Sequence, residues 1–415
     1  MLKELEATLP TASLRSDELA SELRKFMEFG SATLVTETCS SDGRAVVPTF
    51  VNEFWTSGQR DAHRLHEVSY RACFKPQLPR FFIERLTRPG DVVYDPFMGR
   101  GTTLLEAALL GRIPYGNDIN PLSLLLIKPR LQPAHLELIA ARLKEIPFDR
   151  DAETREDLLV FYHPETLRQI CALRAYLLER AAAGTHDAVD EWIRMVAINR
   201  LTGHSAGFFS VYTLPPNQAV SIKAQEKINR DRNQTPAPKN LAAIILKKTR
   251  SLLSDEVNEL FMPRQNRLVN APASETTAIP EDSVSLVVTS PPFLDVVDYA
   301  GDNWLRCWFA GIDPKEVKLT VPKKLENWQA EMTKVFAELH RVLIPSGHVA
   351  FEVGEVRGGK IKLEETVITA GSDAGLVPDL VLINQQEFTK TANCWGVDNN
   401  SKGTNSNRIV LFRKP

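Results

Sequence analysis

Two stretches of the chain alternate short β-branched segments with helical patterns, and this alternation constrains the fold more than any other feature. In the first stretch, DVVYD (91–95) is typical of a strand, TTLLEAALLG (102–111) of a helix that ends at a glycine, and IPYGND (113–118) of a second strand. Strands that alternate with helices indicate a mostly parallel sheet covered by helices.

The second stretch lies near the end of the chain and supplies the remaining strands. Helical patterns at 327–343 and 362–370 separate segments typical of strands, which are 267–270, 284–289, 348–353, 376–383 and 408–412. The last two strands have no helix between them, so we expect them to run antiparallel. The sequence therefore predicts an α/β fold with a sheet of about seven strands.

The region between the two stretches has a different character. Residues 131–265 are mostly helical in pattern, and we predict that they form a domain inserted into the sheet domain of residues 61–130 and 266–415. Residues 1–60 contain one helical pattern (16–29) and a turn at Asp42-Gly43, which predicts a hairpin in an N-terminal extension.

Composition excludes several classes of protein. The 415 residues are 43% hydrophobic and 25% charged, which is typical of a globular protein and not of disordered, collagen-like or coiled-coil chains. The formal net charge of -2 leaves no global positive field, so any nucleic-acid site must be a local patch. No apolar run reaches the roughly 18 residues that would cross a bilayer.

The cysteines indicate neither a disulfide framework nor a metal site. They are five in number, form no C-x-x-C pair and lack zinc-ligand spacing, so we predict no metal and a reducing compartment. The first twenty residues also lack the apolar core of a signal peptide. We therefore expect a cytoplasmic protein.

A glycine turn, DPFMGRGT (95–102), directly follows a predicted strand and precedes a helix, where glycines let a ligand approach the backbone. Leu104 stands where a dinucleotide fingerprint needs its third glycine, which disfavours a nicotinamide or flavin cofactor. Asp118 ends the next strand and is suited to bind ribose hydroxyls. A nucleoside cofactor without essential phosphates, such as S-adenosylmethionine, fits this pattern. The alternative is an ordinary strand-to-helix turn with Asp118 as a helix cap.

A second motif, TSPPF (289–293), follows the apolar run VSLVV, at a strand end of the kind that binds ligands in α/β sheets. Adjacent prolines have no N–H and present carbonyls that only accept hydrogen bonds. Ser290 and the Pro291 carbonyl could accept both protons of an exocyclic amine, while Phe293 could stack on the base. The alternative is a Pro-Pro turn packed by the phenylalanine.

Together the two motifs resemble those of the amino-methylating DNA methyltransferases, and a serine before Pro-Pro resembles the N4-cytosine group of that family. HRVLIPSGHVAFEVG (340–354) is similar to a helix-turn-strand common in methyltransferases. The resemblance implies a seven-stranded, Rossmann-like class I S-adenosylmethionine-dependent methyltransferase fold. It also implies direct in-line methyl transfer to the N4 amine of cytosine in duplex DNA after base flipping, in a restriction-modification system or by an orphan enzyme.

The resemblance also implies a role for each matching residue. The cofactor loop would comprise Asp95, Pro96, Phe97, Gly99, Gly101 and Thr102. The ribose ligand would be Asp118, and the catalytic motif Ser290, Pro291, Pro292 and Phe293. Around the methionine moiety and the adenine ring, the candidates are Phe74, Lys75, Pro76 and Asn270, although the usual acid is missing at Asn270.

The cofactor motif precedes the catalytic motif, an order that differs from the commonest N4-cytosine layout. This order implies that target recognition lies in residues 131–265. Eight basic and two acidic residues between positions 223 and 250 give a local charge of +6, which suits DNA phosphates. The predicted DNA-contacting residues are His204, Lys223, Lys227, Arg230 and Arg232. The alternative is a solvated helix face.

Two further features near this patch suggest contact with bases. The segment GHSAGFFSVY (203–212) could fill the space left by an extruded base, or Phe208 and Phe209 could belong to the core. Amide side chains that suit base edges are Asn217, Gln218, Gln225, Asn229, Asn233 and Gln234.

Three other functions stay open, namely an adenine-N6 DNA methyltransferase, an RNA exocyclic-amine methyltransferase and a catalytically silent DNA-binding subunit. The intact Ser290 and Gly99-x-Gly101 favour an enzyme over a silent subunit. C5-cytosine chemistry is excluded, since no cysteine follows a proline. A cognate restriction endonuclease that acts separately is the further partner we expect.

Overall fold

A computed structural model of the chain describes residues 16–56, 62–71, 73–214, 219–256, 265–292, 299–313, 317, 322, 324–354, 361–385 and 406–415. Its centre is one mixed sheet of nine strands, in the order β1-β2-β8-β9-β7-β6-β3-β4-β5. The strands are β1 Leu34–Cys39, β2 Val46–Asn52, β3 Val92–Asp95, β4 Ile113–Asn117, β5 Arg267–Val269, β6 Val284–Thr289, β7 Leu343–Val353, β8 Val377–Gln385 and β9 Ser406–Arg413.

The predicted α/β class is confirmed, and so is the antiparallel end of the sheet. Strands β5, β4, β3, β6 and β7 are parallel neighbours, and β9 runs antiparallel to both β7 and β8. This is a Rossmann-like arrangement, as predicted. It follows from the sequence because β3 and β6 are each linked to their parallel neighbours by segments long enough to contain helices.

The expected count of seven strands was wrong, because the sheet has two more. The hairpin predicted around Asp42-Gly43 forms, and its second strand, β2, pairs in parallel with β8 through Thr49 and Val381. The buried Phe50 of β2 packs in the same core cluster as Leu382 of β8. A two-stranded hairpin is marginal alone, so pairing with β8 supplies the apolar surface that β2 needs.

Helices cover both faces of the sheet and form the region between its two halves. They are α1 Ser16–Lys25, α2 Gln77–Leu86, α3 Thr102–Leu109, α4 Pro121–Leu131, α5 Leu136–Glu145, α6 Pro164–Ala182, α7 Ala188–Ile198, α8 Ile222–Asp231, α9 Leu241–Leu252, α10 Tyr299–Ala310, α11 Leu325–Val342 and α12 Leu363–Asp373. Residues 131–265 are mostly helical as predicted. Their described part contains no strand, although an isolated bridge joins Gly203 and Tyr212.

Alternate residues of the central strands enter different hydrophobic cores. In β3, Val93 packs with α1 and α2, whereas Tyr94 packs with α11 and α12. In β6, Leu286 packs in the same core as Val93, and Val287 packs in the same core as Tyr94. Both faces of these strands are buried, which explains the nearly continuous apolar run before TSPPF.

The parallel strands bring the two motifs to one edge of the sheet. Strand β3 pairs in parallel with both β4 and β6, and β6 pairs in parallel with β7. The carboxyl ends of all four strands therefore meet at one edge, as ligand sites in such sheets require. Asp95, Asp118, Ser290 and Glu352 lie there, although 195 positions separate Asp95 from Ser290 in the chain.

Candidate active site

A cavity at this edge of the sheet is lined by residues from both motifs. The glycine turn and the end of β4 contribute Asp95, Pro96, Phe97, Gly99, Thr102 and Asp118. The second motif contributes Ser290 and Pro292. Most of the predicted catalytic and cofactor-binding residues in the described chain therefore lie around one space.

The two glycines of the turn have different structural roles. Both have positive φ, +49° at Gly99 and +77° at Gly101, which glycine adopts without strain. Gly99 lines the cavity, and a Cβ there would lie 3.5 Å from the Tyr70 ring. A Cβ on Gly101 would instead lie 2.5 Å from Ile127 of α4. Gly101 thus permits close packing of the turn against α4.

Asp95 ends β3 with its carboxylate inside the protein, only 2% exposed. Its Oδ1 accepts hydrogen bonds from the Thr289 hydroxyl at 2.6 Å and from the Phe97 amide at 3.0 Å. Burial raises the pKa of Asp95 to about 7, and the nearby Asp118 carboxylate acts in the same direction. Among the described residues, no ion pair reaches Asp95.

Asp118, just after β4, connects the glycine turn to α4. Its carboxylate accepts hydrogen bonds from the Gly99 and Asn120 amides, both at 2.8 Å. Burial raises the pKa of Asp118 above its ordinary value. The helix cap is Asn120, whose side chain accepts from the Leu122 amide. Asp118 is therefore not the cap of α4, and it shapes the turn while facing the cavity.

Ser290 follows β6 and lies beside Glu352 of the neighbouring strand β7, because Thr289 pairs with Phe351. Glu352 is buried and also accepts from the Asn407 amide group at 3.0 Å. Our sequence interpretation missed Glu352 and Asn407. The available signal for Glu352 was an acidic residue inside the otherwise apolar strand HVAFEV.

The Pro-Pro turn is fixed by a tryptophan. Pro291 is buried, and the Pro292 carbonyl accepts a hydrogen bond from the Trp328 indole nitrogen at 3.0 Å. Trp328 itself is fully buried on α11 and lines the cavity. Phe293, the predicted stacking residue, lies outside the described residues.

The residues before α2 contribute unequally to the cavity. Phe74 lines it, together with Tyr70 and Cys73, which our sequence interpretation did not include. Lys75 and Pro76 are not in the lining, and Pro76 instead stands at the N-cap position of α2. Partial burial lowers the pKa of Lys75.

Asn270 lies beside the cavity and not in its lining. The side chain is exposed, and its amide nitrogen donates to the Asp118 carbonyl at 2.6 Å. Pro272, Ala273 and Ser274, which follow it, line the cavity instead. These residues were not identifiable from sequence, because they carry no distinctive chemistry.

The predicted DNA-contacting cations are on the outside of the protein. Lys223, Lys227 and Arg230 are exposed on α8, and Arg232, just after it, lies 3.8 Å from the centre of the Tyr212 ring. His204 is half-buried, with its ring 6.2 Å from that of Phe208.

Three of the amide side chains proposed for base contacts have internal partners, so that interpretation was wrong for them. Gln225 and Gln234 both donate to the Tyr212 carbonyl and to Asn229, and Asn229 donates to the Val160 carbonyl. They anchor α8 to the helical region. Asn217 and Gln218 lie outside the described residues.

The two phenylalanines of the 203–212 segment belong to the packed interior. Phe208 is 7% and Phe209 1% exposed, and the Arg200 guanidinium covers the Phe208 ring at 4.1 Å. A Cβ on Gly203 would lie 2.5 Å from the Phe208 ring. The core-packing alternative therefore accounts for both rings.

Sequence comparison finds a family model that matches part of the chain. Residues 37–128, which include the glycine turn and Asp118, match the family model described as DNA methylase. Over these residues the chain is similar to the DNA methylase family. S-adenosylmethionine is the cofactor of this family, in agreement with the cofactor prediction.

Curated relatives are Type II methyltransferases. The chain is 35% identical over 97 residues to M.MjaII of Methanocaldococcus jannaschii, covering 23% of this chain and 17% of that protein. It is 32% identical over 111 residues to M.MvaI of Kocuria varians, covering 26% and 23%. With M.BsoBI of Geobacillus stearothermophilus it shares 23% identity over 279 residues, covering 60% and 53%. The chain thus spans about a sixth to about half of their lengths.

Solved structures with a similar arrangement include two methyltransferases. TrmN from Thermus thermophilus has 13% identity and a TM-score of 0.34, over 83% of this chain and 50% of that one. A SAM-dependent methyltransferase from Methanosarcina mazei has 11% identity and a TM-score of 0.31, over 80% and 96%.

The cavity suits the charge of S-adenosylmethionine, which carries a sulfonium and an ammonium group. The buried carboxylate of Asp95 and the half-buried carboxylate of Asp118 both line it, and no described cation forms an ion pair with either. Buried charges are stable only when they are paired, so this cavity favours a cationic ligand. Among described residues, no group of side chains suits a metal ion, and no helix is long and apolar enough to span a membrane.

Proposed function

We propose that the chain is a DNA methyltransferase that transfers a methyl group from S-adenosylmethionine to the exocyclic N4 amine of cytosine in duplex DNA. The observation that carries this proposal is that Ser290 lines the cavity and lies beside Glu352, a buried acid on the neighbouring strand β7. A deprotonated Glu352 can only accept hydrogen bonds, so this position suits it to accept the single proton of the Ser290 hydroxyl. The lone pairs of Ser290 are then left to accept from a substrate N–H in the cavity.

An exocyclic amine needs such acceptors before it can react. Its lone pair is delocalised into the aromatic ring, which makes it a poor nucleophile. Hydrogen bonds from its protons to Ser290 and to the Pro291 carbonyl favour a tetrahedral nitrogen with a localised lone pair. Transfer is then a direct in-line displacement that depends on positioning and electrostatics.

The base must leave the duplex to reach this cavity, because its amine is otherwise paired inside the helix. We assign the stacking of the extruded base to Phe293. A serine before Pro-Pro supports cytosine over adenine as the target, by the resemblance to the N4-cytosine group.

For the cofactor, we assign the ammonium group to Asp95 and the ribose hydroxyls to Asp118, whose carboxylates both line the cavity. The bound molecule would also contact Pro96, Phe97, Gly99, Thr102 and Phe74. The remaining predicted cofactor residues would support this lining without contacting the cofactor, through the packing and hydrogen bonds described above. They are Gly101, Lys75, Pro76 and Asn270.

For DNA, we propose that residues 131–265 carry target recognition and that α8 contacts the phosphate backbone. Lys223, Lys227 and Arg230 are exposed, and Arg232 is held against Tyr212. His204 is the fifth proposed contact. The proposal includes a cytoplasmic enzyme of a restriction-modification system, with a cognate endonuclease that acts separately.

Mass spectrometry of methylated nucleosides tests the proposal. The protein is incubated with labelled S-adenosylmethionine and either duplex DNA of mixed sequence or tRNA, and the nucleic acid is digested. We expect N4-methyldeoxycytidine from the duplex and no label in the tRNA. N6-methyladenine alone would overturn the cytosine assignment, and label confined to tRNA would overturn the DNA substrate.

A further inference from the structure

Glu352 is a carboxylate inside the sheet, 6% exposed, at the end of β7. Strand β7 pairs in parallel with β6, with Phe351 opposite Thr289, so Glu352 and Ser290 extend together past the last paired residues. Its carboxylate accepts a hydrogen bond from the Asn407 side-chain amide at 3.0 Å, and Ser290 is its neighbour across the strand pair. An acid at such depth has to be satisfied by these contacts.

The charged groups on neighbouring elements have partners of their own. Arg408 of β9 pairs with Glu364 of α12. Asp95 of β3 bonds to Thr289, on the far side of β6 from Glu352. On α11, Glu331 bonds to Lys334 at 2.8 Å. Glu352 therefore interacts with uncharged groups, and Ser290 links it to the cavity.

Burial raises the pKa of Glu352, while the hydrogen bonds from Ser290 and Asn407 oppose this shift. A carboxylate in this environment is a stronger base than one in water. Its basicity is useful only if a proton can reach it, and Ser290 both lies beside it on the neighbouring strand and lines the cavity.

We propose that Glu352 is a positioning residue that holds Ser290 with its lone pairs toward the substrate amine and accepts, through Ser290, the proton that the amine loses. This inference rests on the proposed methyl transfer to an exocyclic amine. It adds a residue outside both sequence motifs to the reaction.

The amine nitrogen forms a bond to the methyl carbon while the carbon–sulfur bond breaks and its electron pair stays on sulfur, giving S-adenosylhomocysteine. The methylated nitrogen then carries one proton too many. That proton passes to the Ser290 oxygen as the serine proton passes to Glu352. The neutral methylamino base leaves, and Glu352 loses its proton to water.

The test measures the rate of a single turnover as a function of pH. S-adenosylmethionine is saturating, so that ionisation of Asp95 in the ligand-free protein does not affect the measured rate. For the wild type we expect a rate that rises tenfold per pH unit and reaches a plateau above the pKa of Glu352. Glu352→Gln keeps the size and the acceptor oxygen. We expect it to lower the plateau by about 10²-fold and to abolish the rise with pH, with cofactor affinity unchanged.

Two variants complete the design. Asn407→Ala removes a donor that stabilises the carboxylate, so its profile should shift to higher pH. Glu365→Gln on α12, whose carboxylate lies 3.7 Å from Lys362 at the surface, is the matched control and should retain the wild-type profile. The thermal midpoint and cofactor affinity of each variant establish that it folds.

The possible outcomes separate the two proposals. A Glu352→Gln variant with the wild-type rate, or with a reduced rate that still rises with pH, would overturn the role of Glu352 and leave methyl transfer intact. A wild type that binds S-adenosylmethionine but methylates neither DNA nor RNA would overturn the proposed function and this inference together.

Discussion

Replacing Asp95 by asparagine should stabilise the ligand-free protein and weaken cofactor binding. Asparagine preserves the shape of the side chain and an oxygen that can accept from Thr289 and Phe97. It removes a buried negative charge for which the described chain offers no ion pair. The two effects have opposite signs because the charge is unfavourable without a cationic ligand and favourable with one.

The magnitude follows from the pKa of Asp95, which burial raises from 3.8 to about 7. The folded state thus binds a proton more tightly than the unfolded state. The stabilisation from this proton is complete below about pH 4 and is lost as the pH rises through about 7. The shift of about 3 pKa units corresponds to roughly 4 kcal/mol above pH 7, at about 1.4 kcal/mol per unit.

Urea unfolding of the wild type and of Asp95→Asn, at about pH 5 and about pH 8.5, measures this term. We expect the variant to be the more stable protein at the higher pH, with its advantage growing by roughly 3 kcal/mol between the two conditions. Asp91→Asn, just before β3, is the matched control, because Asp91 bonds to the Arg88 amide at the surface. It should leave the pH dependence unchanged.

The same samples, titrated with sinefungin, test the ligand half of the prediction. A saturating ligand at about a hundred times its dissociation constant stabilises the wild type by roughly 2.7 kcal/mol. We expect Asp95→Asn to lose most of that gain. Equal pH dependence of the two proteins, or full stabilisation of the variant by sinefungin, would refute the reasoning.

Three further predictions concern the turn, the catalytic serine and the DNA-facing helix. Gly101→Ala should lower the free energy of unfolding by roughly 2 to 5 kcal/mol, because alanine is strained at this positive φ and its Cβ clashes with α4. Gly90 also has a positive φ but open space around it, so Gly90→Ala should lose only the free energy due to backbone strain. Urea unfolding compares the two variants. Ser290→Ala should cut methyl transfer at least about 10²-fold at unchanged cofactor affinity, and an unaltered single-turnover rate would contradict its role. Replacing Lys223 and Lys227 by glutamine should reduce the slope of log affinity for DNA against log salt by about 2, measured by fluorescence anisotropy; an identical slope would exclude both phosphate contacts.

The local features of this protein could be read from its sequence. The glycine turn DPFMGRGT between strand β3 and helix α3 was predictable because a strand, two glycines and an apolar helix follow each other within about twenty residues. Asp118 and Ser290 were predictable for the same reason, since each directly follows an apolar strand. The cofactor class followed from these residues because their chemistry is distinctive.

Features that depend on distant pairing could not be read in this way. The hairpin at Asp42-Gly43 was visible, but its pairing with β8 joins residues more than 300 positions apart. Gln225 and Asn229 looked available for DNA until their backbone partners on other segments were known. An exposed and a buried amide have the same sequence signal.

Glu352 shows where the division lies. The sequence by itself determined that an acidic residue interrupts an apolar strand, and it determined the serine before Pro-Pro. Only the tertiary structure decided that β6 and β7 are neighbours in parallel register, which brings the carboxylate to the hydroxyl. Hydrogen bonds depend on distances in space, and strand order, which sets those distances here, results from the packing of the whole chain.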